Sequence, residues 1–540
     1  MKIVTFHCPE NLMQHSNTWF EDVSDMSEGS SVVSGAEQVV PCNDDASREA
    51  NQPNFETFSS ANTVVPIIPT SPIVSRSPSP VFRETGSSFD DNYDSNNKQN
   101  DKAVSCVELP KTSDIMDCLA NSLYRCPEPV LQVSAWTPIE SVLGDFIQKG
   151  EESAFYVVDL GSVIMKYFEF VRQLPRIKPH YAVKCNPDEQ IIRILAELGC
   201  NFDCASKAEI SLVNSCGVSG ERIIYANPCK PESHLRYAVE HGVDWVTFDN
   251  KDELEKISRV SSKIRAVLRI ATEDHESLCP LSSKFGALPD EVMELLLLAK
   301  HLGVHVEGVA FHVGSGCRSV QTYIRALYQS REIFNLAEDL GMEPFHLLDI
   351  GGGFPGFDGE SPITFYDICC GIRDTIDCLF PVDQVKVIAE PGRYFVSSAF
   401  TLATRIIARR FRTQIQEAGV SRLKASFCLQ EDISHSDLVA DYYIDDGVYG
   451  SFRDVVSLGV TFYPKTFISS HAVIDYSRFV RSCVFGPTCD SIDCIIRNYP
   501  LPILEVGDWL YFTNMGAYTV SLASCFNGFS CPNIKYICAL

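Results

Sequence analysis

The chain has 540 residues, with 70 acidic against 45 basic side chains and a formal net charge of −25. That length exceeds one ordinary domain, and that charge argues against nucleic acid and anionic membranes as partners. There are 22 cysteines, but no apolar leader follows Met1-Lys2-Ile3-Val4 and no stretch is long enough to span a bilayer. Reduced thiols in a cytoplasmic protein are therefore expected, and no cysteine spacing suggests a zinc or other metal site.

Residues 1–110 are rich in Ser, Asn, Asp and Pro, as in Ser77-Pro78-Ser79-Pro80 and Asp90-Asp91-Asn92-Tyr93-Asp94. They lack sustained hydrophobic periodicity and read as a disordered N-terminal extension. The Ser-Pro pairs fit phosphorylation, or simply a solvated tail. Order is expected to begin near Val107, with helical patterns at Met116 to Leu123 and Pro138 to Gly150. Residues 111–155 form a segment expected to pack on a later β domain.

Strand and helix then alternate. Ala154 to Asp159 reads as a strand and Gly161 to Gln173 as a helix. Ile177 to Val183 reads as a strand that runs into Lys184-Cys185-Asn186-Pro187. Asp188 and Glu189 follow, suited to the positive end of a helix, then Ile191, Ile192, Ile194, Leu195 and Leu198 at helical spacing. Further strands are expected at Asn201 to Cys204, Arg222 to Ala226, Trp245 to Phe248, Ala266 to Ile270, Gly308 to His312, Leu347 to Ile350 and Lys386 to Ile388. Helical patterns lie between most of them, as at Ala208 to Ser215, Lys251 to Val260, Pro289 to Leu302 and Val320 to Leu340. Eight or nine such units over about 240 residues fit a closed (β/α)₈ barrel at 156–398 better than an open sheet. From about Phe400 the pattern becomes mainly β, with strands at Tyr442 to Ile444, Val480 to Phe485 and Trp509 to Phe512, giving a β domain over 399–540. The polar segment Gln414 to Asp437 reads as a mobile loop, and no disordered tail is expected before Leu540.

In such a barrel, chemistry collects at the C-terminal ends of the strands. Lys184 lies at one such end, Asp203 and Cys204 at the next, and Arg269 at another. His312 begins His312-Val313-Gly314-Ser315-Gly316-Cys317. Asp349 begins Asp349-Ile350-Gly351-Gly352-Gly353-Phe354, and Glu390 begins Glu390-Pro391-Gly392-Arg393. Singly, each reads as a turn, a hydrogen-bonded core histidine, or a strand-end lysine paired with a carboxylate. Together they suggest a site. The glycines let backbone N–H groups approach an anion, Ser315 adds a hydroxyl and Arg393 a cation. Neither the nucleotide P-loop nor the dinucleotide spacing is present. A lysine buried at a strand end should have its pKa lowered, and its neutral amine can hold a carbonyl cofactor as a Schiff base. A phosphate cradle beside such a lysine points to pyridoxal 5'-phosphate, with Glu390 facing the ring nitrogen and His312 on the ring face.

With these motifs, and with Phe202-Asp203-Cys204-Ala205-Ser206-Lys207, Ile224-Tyr225-Ala226-Asn227-Pro228-Cys229-Lys230, Gly486-Pro487-Thr488-Cys489-Asp490 and Asn514-Met515-Gly516-Ala517-Tyr518-Thr519, the chain resembles the ornithine decarboxylases and related barrel-type pyridoxal-phosphate decarboxylases of basic amino acids. The resemblance runs from about Thr112 to Leu540 and leaves out the N-terminal extension. It implies that Lys184 carries the cofactor, that Asp203, Glu209 and Arg269 line its pocket, and that His312 stacks on it. Ser315, Gly353, Arg393 and Tyr518 would bind the phosphate, Glu390 would pair with the ring nitrogen, and Gly352, Pro391 and Gly392 would complete the cofactor loops. It also implies a head-to-tail homodimer with shared sites. Cys489 and Asp490 would enter from the other subunit, the thiol to protonate the product carbanion and the carboxylate to hold the substrate's distal amine.

One departure stands out. Five residues beyond Asp446-Gly447-Val448-Tyr449-Gly450-Ser451-Phe452 the family places a Tyr-Asp pair, whose aspartate also grips the distal amine. The same count lands here on Ser457 and Leu458. Losing one charge-assisted hydrogen bond costs about 1.5–3 kcal/mol, which puts the substrate in question, with Asp454 nearby as a substitute. Three readings follow: decarboxylation of L-ornithine to putrescine, a step in polyamine biosynthesis; decarboxylation of a different amino acid; or a non-catalytic homologue resembling antizyme inhibitor. Retention of the cofactor residues favours an enzyme. Glu240 to Lys263 corresponds to the family's antizyme-binding surface but carries many acidic residues, which leaves that partner open.

Overall fold

The computed structural model describes residues 129–413, 438–467 and 479–539. The N-terminal extension, the helix expected at Met116 to Leu123 and the loop expected at Gln414 to Asp437 lie outside them. Two strands come first, Leu131–Val133 (β1) and Phe155–Asp159 (β2). Eight parallel strands then close a barrel: Ile177–Ala182 (β3), Asn201–Cys204 (β4), Ile223–Tyr225 (β5), Trp245–Phe248 (β6), Arg265–Arg269 (β7), His305–Ala310 (β8), Leu347–Asp349 (β9) and Lys386–Ala389 (β10). β10 closes the ring against β3, with Val387 opposite Ile177 and Ala389 opposite Pro179.

The strand expected at Ala154 to Asp159 forms, but outside the barrel. β2 pairs antiparallel with Phe400–Thr413 (β11) and parallel with Asn533–Ala539 (β17). The barrel expected from residue 156 thus takes its first strand at Ile177, and helix Leu160–Gln173 links the two sheets. Phe155, Tyr156, Val157 and Val158 are all buried. A continuous apolar strand reads the same in a barrel and in the middle of another covered sheet.

The remaining strands are Leu438–Ile444 (β12), Lys465–Phe467 (β13), Phe479–Phe485 (β14), Cys494–Pro502 (β15) and Trp509–Phe512 (β16). With β1, β2, β11 and β17 they make a nine-stranded sheet in the order β1-β17-β2-β11-β12-β14-β15, with β16 on β11 and β13 on β16. The segment before β2 packs on this sheet. Helix Ile139–Gln148 lays Val142 and Leu143 against Phe155, Trp509 and Tyr511.

Local signals explain the helices. Asp188 caps Glu189–Glu197 by accepting from the N–H groups of Gln190 and Ile191, and Ile191, Ile192, Ile194 and Leu195 turn into the core. Helix Pro289–Leu302 starts on proline and ends at Gly303, whose φ of 66° suits a left-handed cap. The sheet is fastened to the barrel at the turn after β3. Tyr518 N–H donates to Cys185 O (3.0 Å) and Asn186 Nδ2 to Gly516 O (2.8 Å). A Cβ on Gly516 would lie 1.8 Å from Val396 O, so this approach requires glycine.

Candidate active site

A cavity of about 400 Å³ opens at the C-terminal ends of the barrel strands. Its wall brings together Lys184, Arg269, His312, Ser315, Glu390, Arg393, Tyr518, Ser457 and Leu458 from the sequence expectation. Lys184 sits in the single turn Val183–Cys185 that follows β3. Its amine pairs with the carboxylate of Asp203 on β4, where Ala182 lies opposite Asp203 across the two strands. The Asp203 side chain is fully buried, while 35% of the Lys184 side chain faces the cavity. The expected fall in the lysine pKa does not occur. Burial does disfavour the ammonium, but Asp203, Glu390 and Tyr518 outweigh it and hold the amine above its ordinary value. The strand-end ion pair and the cavity-facing amine are thus features of one residue.

The glycine turns form one wall. Gly314, Gly316, Gly351 and Gly353 all have positive φ. Ser315 is pinned from outside by the loop after β7, where Leu278 N–H donates to Gly316 O and Cys279 N–H to Ser315 O, both at 3.2 Å. Arg393 donates Nη1 to Glu360 (2.9 Å), reaches Ser315 Oγ with Nη2 (3.5 Å) and lies 5.2 Å from the Tyr518 ring centroid. Gly352, Gly353, Pro391 and Gly392 stand behind the wall. A Cβ on Gly352 would meet His312 Nε2 at 2.9 Å, one on Gly353 would meet Gly314 O at 2.8 Å, and one on Gly392 would meet Cys185 Cβ at 2.8 Å. Pro391 O accepts from Ala182 N–H at 3.2 Å.

Three buried carboxylates, Asp203, Asp349 and Glu390, crowd the floor. Burial and the charges of Asp203 and Asp349 raise Glu390 well above the usual carboxylate range, and burial pushes Asp349 up to about 7. Gly314 N–H donates to His312 Nδ1 (2.9 Å), which leaves Nε2 to carry the proton of a neutral ring. Burial, Arg269 and Lys184 hold that histidine far below its ordinary pKa.

Two buried polar atoms here have no partner, Asp203 Oδ1 and Arg393 Nε, while Asp349 and Glu390 meet each other through their carboxyl groups. Orphans of this kind are costly unless a ligand satisfies them. A phosphorylated pyridine aldehyde meets the pattern. It offers a protonated ring nitrogen to a carboxylate, a phosphate to the arginine and glycine turns, and a carbonyl to the lysine. The residues present therefore fit pyridoxal phosphate.

Other expected site residues fall elsewhere. Glu209 stands behind the cavity wall, close enough to Asp203 and Lys184 to feel both charges; it accepts from Ala205 N–H (2.6 Å), and Ser206 Oγ accepts from Glu209 N–H (3.2 Å) at the start of helix Lys207–Ser215. Cys489 is exposed and apart from the cavity wall, its N–H donating to Asn527 Oδ1 at 3.1 Å. Asp490 accepts from Tyr449 Oη in the same outward turn. Asp493 braces this turn by accepting from Val448 N–H (2.8 Å) and Thr488 N–H (3.0 Å). Sequence reasoning missed Asp493, which immediately precedes β15 and closes the turn from its far side. It also missed the apolar lining from Leu281, Phe285 and Leu522, for which no local pattern exists. Asp454 lines the cavity as well.

Among the described residues there is no cluster suited to a metal ion, and no helix is long and apolar enough to cross a membrane. Residues 160–397 match the family described as pyridoxal-dependent decarboxylase, pyridoxal binding domain. The chain is 44% identical over 400 residues to ornithine decarboxylase of Mus musculus, covering 74% of this chain and 84% of that protein. It is 45% identical over 399 residues to antizyme inhibitor 2 of Xenopus laevis, with the same coverages. The crystal structure of the Paramecium bursaria Chlorella virus arginine decarboxylase matches with a TM-score of 0.66 and 36% identity, covering 74% of this chain and all of that one. The lysine/ornithine decarboxylase from Vibrio vulnificus, complexed with putrescine, matches with a TM-score of 0.63 and 27% identity, over 74% of this chain and 98% of that one. The chain belongs to the family of ornithine decarboxylases and related pyridoxal-dependent decarboxylases of basic amino acids.

Proposed function

We propose that this protein removes the carboxyl group of a basic amino acid, L-ornithine first among them, and releases putrescine in a cytoplasmic setting. The observation that carries this reading is the cavity-facing amine of Lys184 set among orphaned groups that a bound cofactor satisfies. Pyridoxal phosphate, when bound, supplies the electron sink for the carbanion left as carbon dioxide departs. Lys184 holds it covalently, with Asp203 positioning the amine. Ser315, Arg393, Tyr518 and the glycine turns anchor its phosphate. Glu390 would meet the ring nitrogen and favour its protonated form, and His312, held neutral, would offer a flat face without competing for that charge. Phe285, Leu281 and Leu522 give the cavity its apolar lining.

Cys489 of a second copy would deliver the proton that takes the place of the departed carboxyl group, with Asp490 of that copy at the substrate's distal end. The outward turn that carries both, in a chain whose own cavity they do not line, supports a homodimer with shared sites. The likeness to an antizyme inhibitor favours a second reading, a protein that binds antizyme without catalysis. The retained lysine and carboxylates weigh against it.

The test is an amine-release assay with purified protein and pyridoxal phosphate over ornithine, lysine, arginine and neutral amino acids. Wild type should bind the cofactor with a visible absorbance band that Lys184→Ala abolishes. A wild-type protein that stays colourless and releases no amine sinks the reading.

A further inference from the structure

Beyond Phe452 the chain turns through one short helix, Arg453–Ser457. The helical spacing sets residue 457 over residue 454. Ser457 Oγ donates to Asp454 Oδ1 at 2.9 Å, and Leu458 N–H and Val460 N–H both donate to the Asp454 carbonyl, at 3.1 and 3.0 Å. Asp454 is only 6% exposed, lines the cavity and has no ion-pair partner among the described residues. Arg393 is the nearby cavity cation, but it is committed to Glu360. Of the cavity's carboxylates, Glu390 belongs to the ring nitrogen. The cavity that Asp454 lines also carries apolar side chains, Leu281, Phe285, Leu458 and Leu522 among them.

A buried carboxylate with a single hydroxyl partner in a mainly apolar cavity is held at a cost that a cationic ligand repays. Burial lifts its pKa and outweighs the opposing pull of Arg393 and Arg453, neither of which stands at ion-pair distance. We propose that Asp454, oriented by Ser457, is the specificity-determining residue that receives the distal ammonium of the substrate from within the same subunit. This rests on the decarboxylase reading for its substrate, but not for its binding chemistry. The missing acid at Leu458 is then compensated one helical turn earlier, and Ser457 acts as a positioning residue rather than a substrate contact.

The experiment uses the full chain loaded with pyridoxal phosphate and compares calorimetric binding of 1,4-diaminobutane with that of butylamine, which lacks the second charge. Asp454→Asn should weaken the diamine about tenfold or more and leave butylamine unchanged, the loss expected for one charge-assisted hydrogen bond. Ser457→Ala keeps the carboxylate but frees it, and should weaken the diamine about threefold. Should Asp454→Asn not fold, Ser457→Ala carries the same comparison. In turnover, Asp454→Asn should raise KM for a diamino acid more than it lowers kcat.

Equal losses for both amines, or no loss for either, overturn the proposal, as does a change in cofactor affinity alone, which would make Asp454 a counter-charge to Arg393. A wild type that releases no amine from any amino acid defeats the decarboxylase reading, while the two-amine comparison still tests Asp454.

Discussion

Replacing Arg393 with alanine tests the phosphate anchor directly. The guanidinium is largely enclosed, with 13% of its side chain exposed, and it has two ties to the protein, Glu360 at 2.9 Å and Ser315 at 3.5 Å. Its Nε is buried without a partner. That leaves donor capacity for an anion. One charge-assisted hydrogen bond contributes about 1.5–3 kcal/mol, so losing one should weaken cofactor binding by about 10- to 140-fold. The substitution also leaves Glu360, itself only 13% exposed, with Gly356 N–H as its remaining partner and no cation, and part of any stability loss comes from that carboxylate. The double variant Arg393→Ala/Glu360→Gln separates the two effects, because it keeps the affinity loss and recovers stability. Arg393→Lys should fall between, since it keeps the charge but not the planar fork. The assay is titration of apoprotein with pyridoxal phosphate by visible absorbance, joined to melting curves with and without cofactor. Affinity within about twofold of wild type in both the single and double variants would refute the argument, because a fold-change that small is below the value of one charged hydrogen bond.

Two further outcomes are expected. Mixing Lys184→Ala with Cys489→Ala protein should restore up to about a quarter of wild-type activity by random subunit exchange in a twofold dimer, and no recovery despite demonstrated exchange would place both groups within one chain. Lys230 and Glu253 form a buried ion pair (2.9 Å) beneath the loop whose Asn227 and Pro228 line the cavity, and burial pushes the Lys230 pKa down to about 8 despite the pull of Glu253. The unfolded chain titrates this group near about 10.4, so it binds more protons than the folded one between those values; stability rises with pH across the window by on the order of 3 kcal/mol, and that gain is lost as pH falls through about 8. Melting temperatures from pH 7.5 to 10.5 should show that rise in wild type and a shallower curve in Lys230→Met, whereas parallel curves would remove Lys230 as its source.

The barrel and its strand-end chemistry were readable because position along the chain fixes them. Period and punctuation place Lys184, His312 and Glu390 just beyond strands, and parallel strands of one barrel bring those ends together whatever the register. What depends on register was not readable. Asp203 reaches Lys184 because Ala182 and Asp203 lie opposite each other, and that cross-strand match reverses the expected direction of the lysine pKa. β2 escaped for a related reason: an apolar run specifies burial on both faces but not which sheet supplies the neighbours. Glu209 carries the Ser-x-x-Glu spacing of a helix start at Ser206, so its capping role was legible, while its place beside Asp203 and Lys184 depends on the barrel closing.

The turn at Cys489 shows how far one chain can be read. Asp493 draws Thr488 and Val448 together, Tyr449 holds Asp490, and Asn527 holds the Cys489 backbone. Such bracing is more than an idle surface loop requires, yet the thiol faces outward. Beside it the Phe526 ring lies tilted 4.3 Å from that of Tyr449 and remains 42% exposed, while Leu522, 43% exposed, continues into the cavity wall. Apolar side chains rimming both a preformed turn and an open cavity are what a second copy would cover. On that geometry the distal end of a substrate would meet two carboxylates of different origin, Asp454 from the subunit that holds the lysine and Asp490 from the other. Specificity would then depend on assembly. Dissociated subunits should keep the cofactor band, since every group that fits the cofactor lies in one chain, lose turnover, and keep only the part of the discrimination between one charged end and none that Asp454 supplies. Subunits that remain fully active at dilutions where dissociation is demonstrated would show that the turn serves some other purpose.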